Sequence, residues 1–291
     1  MNSFLIKIKD ILDLIVFKHS IFALPFLFTS MIVASKILNN STWFGFKDLI
    51  FGIICAVSAR NFAMSVNRLM DEDIDKDNPR CQDRPNINGR IGRKNVYLFA
   101  FANAVIFVLF SYFINNLAFY LSFFVLFLLG IYSAFKRFSV LTHLVLGFCL
   151  GLAPIAGSIL VLGYIHIFSV ILCLGVAFWT AGFDLLYSLQ DMDYDKENGL
   201  YSIPAKFGAN VTLFISAFCH ILAFIFWILF AWVANLGYIA FLGVFISGII
   251  LFFEHLIVKK NFSHINKAFF TLNGFLSILF FMFIWVDLVW N

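Results

Sequence analysis

Two short segments of this 291-residue chain concentrate the side chains suited to metal binding and proton transfer. The first acidic segment, residues 67–84, and the second acidic segment, residues 184–197, together hold eleven of the 16 acidic residues. Within each segment polar side chains recur every three or four residues, the spacing of one helix face. These side chains are Asn67, Asp71 and Asp75 in the first segment and Asp184, Tyr187, Asp191 and Asp195 in the second.

Carboxylates stacked in this way repel each other unless a cation lies between them. A donor set made only of oxygen atoms suits hard ions such as Mg²⁺, which typically pairs one or two carboxylates with substrate phosphates. Two such stripes facing each other would hold Mg²⁺ ions and a diphosphate. The alternative interpretation is that each segment is a solvated, charged helix end.

Basic residues accompany the first acidic segment and one also lies deeper in the chain. Arg80 and Arg84 follow the acids, and an arginine can bind phosphate oxygens in a bidentate manner. Arg60 precedes Asn67 by two helical turns within an apolar run, and a charged residue in such a run indicates a functional site. Its anionic partner would be a diphosphate, the carboxylate of an acceptor substrate or an acid of the second segment.

The composition is that of a polytopic membrane protein. Hydrophobic residues make up 62% of the chain, charged residues only 12%, and the mean hydropathy is +0.95. These values exclude a disordered protein, an ordinary cytosolic enzyme and a nucleic-acid-binding protein. Nine runs are long enough for membrane helices, which predicts an all-α protein of about nine transmembrane helices around a central cavity. The predicted spans are 19–37, 48–70, 96–114, 117–134, 140–162, 165–189, 209–233, 238–257 and 268–289.

The positions of lysine and arginine predict the orientation. With nine spans and a cytoplasmic N-terminus, sixteen of the 20 basic residues lie in cytoplasmic segments, whereas Lys36 and Lys47 are the only ones in outer loops. This bias is the positive-inside pattern. It places both acidic segments at the cytoplasmic ends of their spans.

Small residues interrupt the run 140–162. Gly147, Gly151, Pro154 and Gly157 predict close packing of this helix against a neighbour, or a kink. The five cysteines form no CxxC pair, so we expect reduced thiols. Apart from His19, the histidines show no spacing typical of metal ligands; they are His143, His166, His220, His255 and His264.

The two acidic segments resemble the paired motifs of the UbiA superfamily of intramembrane prenyltransferases. Residues 67–75 are similar to that family's NDxxDxxxD motif, and residues 184–195 to its DxxYxxxDxxxD motif. Arg84-Pro85 resembles the basic loop after the first motif, and the segment from Tyr132 to Lys136 resembles the family's YxxxK segment. The resemblance covers the whole chain and implies a single domain, residues 1–291.

One position departs from the family pattern in a way that matters for metal binding. Arg68 replaces the usual Asp of the first motif, so we expect it to pair with Glu72 rather than to bind metal. The Asn-Arg variant is most similar to the bacterial branch of 4-hydroxybenzoate polyprenyltransferase-like enzymes. That branch includes enzymes that prenylate a dihydroxynaphthoate on the route to menaquinone.

The resemblance implies Mg²⁺-dependent transfer of a polyprenyl group from polyprenyl diphosphate to an aromatic acid in quinone biosynthesis, at the cytoplasmic face of a bacterial inner membrane. Tyr187 would stabilise the allylic cation, and Asp184 or Asp191 would accept the ring proton. The implied metal ligands are Asn67, Asp71, Asp75, Asp191 and Asp195, and the implied substrate-binding residues are His19, Arg60, Asn67, Arg80, Arg84, Tyr132 and Lys136. The alternative is a transporter that uses the acids as a cation path.

Overall fold

The computed structural model describes residues 3–16, 22–260, 265 and 268–291, and this part of the chain is helical with no β-strand. The apolar runs form helices because only a helix satisfies its own backbone hydrogen bonds in lipid. The all-α prediction is confirmed. The helices are α1 (Ser3–Leu14), α2 (Leu24–Asn39), α3 (Phe46–Met70), α4 (Glu72–Asp75), α5 (Arg93–Ile114), α6 (Asn116–Ile131), α7 (Thr142–Leu162), α8 (Ile167–Ser188), α9 (Met192–Glu197), α10 (Ile203–Val233), α11 (Tyr238–Lys260) and α12 (Asn273–Trp290).

Eight segments of the described chain are long and apolar enough to cross a membrane. They correspond to eight of the nine predicted spans, with boundaries that differ by a few residues. The remaining predicted span, 19–37, overlaps α2, an apolar helix of 16 residues. A helix of that length is roughly 24 Å long, shorter than the hydrocarbon core of a typical bilayer. The count of nine spans and the cytoplasmic N-terminus stay predictions.

Helix α10 begins six residues before the predicted span. Ser202 caps its N-terminus by accepting a hydrogen bond from the Ala205 N–H at 3.3 Å, and Pro204 occupies the first turn. Gly208 has φ 79° and ψ 173°, which breaks the helical path and produces a kink. A backbone with this φ strains every residue with a side chain, so glycine is required at this kink.

The chain divides into two compact units. Unit 1 comprises Met1–Ser20 and Ile53–Ala134, and unit 2 comprises Ile21–Gly52 and Phe135–Asn291. In unit 1, α5 packs against α6, and the Asn61 side chain on α3 donates to the Asn103 side chain on α5 at 3.0 Å. The first acidic segment belongs to unit 1, and the second belongs to unit 2.

Helix α8 is the most buried span, and it packs against α7 and α10 within unit 2. Gly147 and Gly151 of α7 lie directly against the α8 backbone: a Cβ at Gly147 would collide with the Ala177 carbonyl oxygen, and one at Gly151 would lie 2.7 Å from the Cys173 carbonyl oxygen. On another side of α7, a Cβ at Gly157 would lie 2.8 Å from the Leu27 carbonyl oxygen of α2. The predicted close packing at these glycines is confirmed.

Candidate active site

The first acidic segment begins where α3 ends. The Asn67 amide nitrogen donates to Asp71 Oδ2 at 2.6 Å and to Ser133 Oγ at 3.1 Å. Asp71 has φ −95° and ψ 4° and separates α3 from the short helix α4. The backbone hydrogen bonds from Asp71 to Asn67 and from Asp75 to Asp71 nevertheless continue at 2.9 and 2.7 Å. The predicted stripe is therefore present, with a bend at its middle residue.

The carboxylate of Asp75 is buried and forms an ion pair with Arg84. Arg84 was predicted to bind phosphate oxygens, but its guanidinium is already paired with Asp75. The other predicted phosphate ligand, Arg80, is exposed, and its backbone N–H donates to Asn78 Oδ1 at 2.9 Å. Between these arginines in sequence, burial raises the pKa of the Cys81 thiol to about 11, so this cysteine is neutral near pH 7.

The prediction that Arg68 pairs with Glu72 is wrong. Arg68 is only 5% exposed, and its guanidinium donates to the Leu14 carbonyl and to Asn67 Oδ1, both at 3.2 Å. Glu72 instead forms ion pairs with Arg93 at 3.5 Å and with Lys76 at 3.7 Å. The physical reason is that Arg68 points toward the C-terminal end of α1, whose last carbonyls need hydrogen-bond donors.

Arg60 also contacts the end of α1. Its Nη2 donates to the Val16 carbonyl at 3.1 Å and to the Ile15 carbonyl at 3.4 Å. Its Nε is buried and has no hydrogen-bond partner among the residues that the structure describes. Sequence reasoning missed this contact because backbone carbonyls leave no signal in the sequence. Whether Arg60 also binds a substrate stays a prediction.

The second acidic segment has a similar break. Helix α8 ends at Ser188, a turn of 3₁₀-helix follows at Leu189–Asp191, and α9 begins at Met192. Asp191 has φ −101° and ψ 4°. Asp195 of α9 interacts electrostatically with Asp191, Lys136 and His143. The structure thus brings the predicted residues Asp191, Asp195 and Lys136 together within unit 2.

Asp184, the first acid of the second segment, is held by a histidine that was not predicted as a site residue. The Nδ1 atom of His143 lies 2.7 Å from Asp184 Oδ2. His143 lies one helical turn before Gly147, on the α7 face that packs against α8. The glycines of α7 were the sequence signal that could have identified His143, because they mark the side of α7 that packs against α8.

The aromatic candidates occupy different surroundings. Tyr132, a residue of unit 1, is buried and is the first residue of the 3₁₀-helix Tyr132–Arg137. Tyr187 is half-buried, one turn before Asp191, and packs on the apolar core of unit 2.

The predicted substrate-binding residue His19 lies outside the described residues. The five cysteines are free thiols, as expected.

The described residues contain no ready-made group of three His, Cys, Asp or Glu side chains around one point. The donors nevertheless fit Mg²⁺, because Asp71 and Asp75 are only 3% and 4% exposed and present carboxylate oxygens beside an amide. Mg²⁺ usually binds through one or two carboxylates, water and substrate phosphates rather than in a protein cage. The first acidic segment is therefore suited to a metal that arrives with a diphosphate.

Several known proteins are similar to this chain. It is 26% identical over 232 residues to a 4-hydroxybenzoate octaprenyltransferase of Francisella tularensis subsp. novicida, covering 80% of each chain. It is 28% identical over 223 residues to the enzyme of the same name from Psychromonas ingrahamii, covering 75% of this chain and 76% of that one.

Solved structures extend the similarity to three dimensions. The apo structure of a UbiA homolog from Aeropyrum pernix K1 superimposes with a TM-score of 0.83 at 28% identity, covering 92% of this chain and 98% of that one. A UbiA homolog from Archaeoglobus fulgidus, bound to GPP and Mg²⁺, shares the fold with a TM-score of 0.69 at 19% identity, covering 96% and 99%. The UbiA prenyltransferase family model matches residues 23–285, and we conclude that the chain belongs to this family.

Proposed function

We propose that this prenyltransferase transfers a polyprenyl group from polyprenyl diphosphate to the ring of a hydroxylated aromatic acid, in a reaction that requires Mg²⁺. The observation that carries the proposal is the end of α3, where the buried carboxylates of Asp71 and Asp75 lie with Asn67 and Arg84 beside them. Carboxylates and an arginine in one segment fit a metal-diphosphate headgroup. The similar 4-hydroxybenzoate octaprenyltransferases and the GPP- and Mg²⁺-bound homolog support the same chemistry.

The proposed metal ligands are the four carboxylates at corresponding motif positions and one amide oxygen; they are Asp71, Asp75, Asp191, Asp195 and Asn67. When bound, Mg²⁺ would neutralise the charge of the diphosphate leaving group. Arg80, Arg84 and Lys136 donate to phosphate oxygens. For Arg84 this requires its ion pair with Asp75 to loosen, which exchanges one anionic partner for another.

Ring substitution then follows from the chemistry of the two substrates. The bond between the allylic carbon and the diphosphate oxygen breaks, and the electron pair leaves with the diphosphate. Tyr187 stabilises the allylic cation with its aromatic face, and Tyr132 lines the prenyl site. The electron-rich ring forms the new carbon–carbon bond, and Arg60 and His19 hold the acceptor.

The proposed acceptor is one of two aromatic acids. The names of the similar proteins support 4-hydroxybenzoate, whereas 1,4-dihydroxy-6-naphthoate of menaquinone synthesis is a candidate from the sequence resemblance alone. The protein is integral to a membrane, which we propose is the bacterial inner membrane with the active site facing the cytoplasm. The transporter alternative is set aside because the family to which the chain belongs is one of enzymes.

A competition assay tests the proposal. The purified protein receives Mg²⁺, a polyprenyl diphosphate and equal amounts of 4-hydroxybenzoate and 1,4-dihydroxy-6-naphthoate, and mass spectrometry identifies the prenylated product. We expect one prenylated ring acid and one equivalent of released diphosphate, both abolished by EDTA and restored by excess Mg²⁺. Product formation that persists in EDTA, or the absence of any prenylated acid, would contradict the proposal.

A further inference from the structure

His143 and Asp184 form a buried pair between two tightly packed helices of unit 2. His143 is 3% exposed, and its Nδ1 lies 2.7 Å from Asp184 Oδ2. The backbones of α7 and α8 touch one turn further along, where a Cβ at Gly147 would collide with the Ala177 carbonyl oxygen. Close backbone contact leaves little freedom for the imidazole and the carboxylate to separate. The pair is therefore held in one geometry.

The contact with a carboxylate determines which nitrogen carries the proton. A carboxylate accepts hydrogen bonds, so Nδ1 of His143 carries the N–H that it donates to Asp184. In the neutral imidazole, Nε2 then has a free lone pair. This atom is buried and has no hydrogen-bond partner among the described residues. A buried acceptor without a partner is costly, and this nitrogen is therefore available to accept a proton.

We propose that His143 is the general base of the prenyl transfer and that Asp184 is its positioning residue. This inference rests on the proposed function above. After the new carbon–carbon bond forms, the substituted ring carbon still carries its hydrogen. His143 Nε2 takes that hydrogen as a proton, and the electrons of the carbon–hydrogen bond restore the aromatic ring. The resulting imidazolium is stabilised by the Asp184 carboxylate, and the diphosphate has already left with the electrons of the allylic C–O bond.

The pair has two other interpretations that make different predictions. If Asp184 were itself the base, His143 would only orient it, and a side chain that keeps the hydrogen bond would preserve turnover. If the pair were a structural contact between α7 and α8, its loss would lower thermal stability and leave the chemistry unchanged. The substitution His143→Gln separates these cases, because the amide of the new side chain can donate to Asp184 but cannot accept a proton as a base does.

The test uses the full-length chain with Mg²⁺, polyprenyl diphosphate and 4-hydroxybenzoate carrying either hydrogen or deuterium on the ring. The variants are His143→Gln, His143→Ala and Asp184→Asn. The matched control is His166→Gln, which replaces the histidine that caps the opposite end of α8. Turnover, the isotope effect on kcat and the melting temperature are measured for each protein.

We expect wild-type and His166→Gln to turn over alike, without a primary isotope effect, because proton loss is fast in both and the preceding bond ionisation is the slower step. His143→Gln should lose about 100-fold or more in kcat, the usual contribution of a general base, while KM for polyprenyl diphosphate is retained. Its residual turnover should show a normal primary isotope effect, because proton loss has become the slow step. A purely structural role cannot produce that effect.

Two results would overturn the assignment. One is wild-type kcat in His143→Gln. The other is a loss of kcat in both His143 variants without an isotope effect, which would give His143 a positioning role only. If the wild-type chain prenylates neither 4-hydroxybenzoate here nor 1,4-dihydroxy-6-naphthoate in the competition assay, the proposed function fails and the base assignment fails with it. An active wild-type protein with unaffected variants contradicts the base assignment alone.

Discussion

Asp71 and Asp191 have the same backbone conformation, with φ and ψ of −95° and 4° at Asp71 and −101° and 4° at Asp191. Asp71 lies between the end of α3 and the start of the short helix α4. Asp191 is the last residue of the 3₁₀ turn that follows α8, and it directly precedes the short helix α9. This sparsely populated region of φ/ψ space is one in which active-site residues are often found. The two motifs thus produce the same local bend in separate parts of the chain.

Replacement of either bend residue by its amide should abolish turnover. Asp71→Asn and Asp191→Asn each remove one negative charge with almost no change in shape, so we expect a folded protein with less than about a tenth of wild-type activity. Prenyl transfer at saturating Mg²⁺ is the measurement. Asp73→Asn and Asp193→Asn are matched controls, because both acids are exposed and should retain activity. A retained rate in either bend variant would refute the metal role of that segment.

Arg60 should affect the acceptor more than the prenyl donor. Its Nη2 already caps α1, and the buried Nε has no hydrogen-bond partner among the described residues, so the guanidinium keeps donors for a carboxylate. Arg60→Ala should raise the acceptor KM about tenfold or more, since a charged hydrogen bond contributes roughly 1.5–3 kcal/mol. Arg60→Lys should rescue only partly, because an ammonium lacks the planar fork. Steady-state kinetics with each substrate varied in turn provide the check, and equal KM changes for both would contradict the acceptor role.

Arg68→Asp should destabilise the protein, although aspartate is the more usual residue in related motifs. The substitution replaces two buried hydrogen bonds, to Leu14 and Asn67, with a carboxylate that faces the Leu14 carbonyl oxygen. We expect a loss of about 2–4 kcal/mol, seen as a lower melting temperature in detergent. Lys76→Asp, at an exposed position, is the control and should melt near the wild-type temperature. An unchanged melting temperature in Arg68→Asp would show that the α1 contact contributes nothing.

Gly147→Ala should push α7 away from α8. The added methyl group meets the Ala177 carbonyl oxygen, and overpacking of this kind costs about 1–3 kcal/mol. Because His143 lies one turn away, activity should fall together with the melting temperature. Gly130→Ala in α6 is the control, since its Cβ would meet only Phe62 Cζ at 3.9 Å. Wild-type stability in Gly147→Ala would contradict the close helix contact.

A buried polar chain links α8, α11 and α12 within unit 2. Trp179 Nε1 donates to Asn273 Oδ1 at 2.8 Å, and Asn273 Nδ2 donates to Glu254 Oε1 at 2.7 Å. Asn273→Leu leaves Trp179 Nε1 and Glu254 Oε1 buried without their hydrogen-bond partner, so we expect the free energy of unfolding to fall by about 2–4 kcal/mol. Glu254→Gln keeps an acceptor oxygen and should be tolerated. The melting temperatures of the two variants are measured under the same conditions. Equal melting temperatures for Asn273→Leu and Glu254→Gln would contradict this prediction.

The sequence by itself determined the class of the protein, the helical spans and both acidic segments. Hydropathy does this because a membrane helix must be apolar along about 20 residues, whatever its neighbours are. Asn67 and Asp71 could be predicted to meet because helical spacing is local: a separation of four residues makes about one turn, and the two side chains lie 2.6 Å apart. The glycines of α7 were likewise predicted as a packing face.

Only the tertiary structure decided which side chains meet across helices. His143 and Asp184 are separated by 41 residues, Arg60 and Val16 by 44, and Arg68 and Leu14 by 54. Such contacts depend on the rotation of each helix about its axis, which neighbouring backbones set through positions such as Gly147. A backbone carbonyl also looks the same at every residue, so the arginine contacts with α1 have no sequence signature. The rotation of α7 against α8 is therefore what makes a buried histidine part of the candidate site.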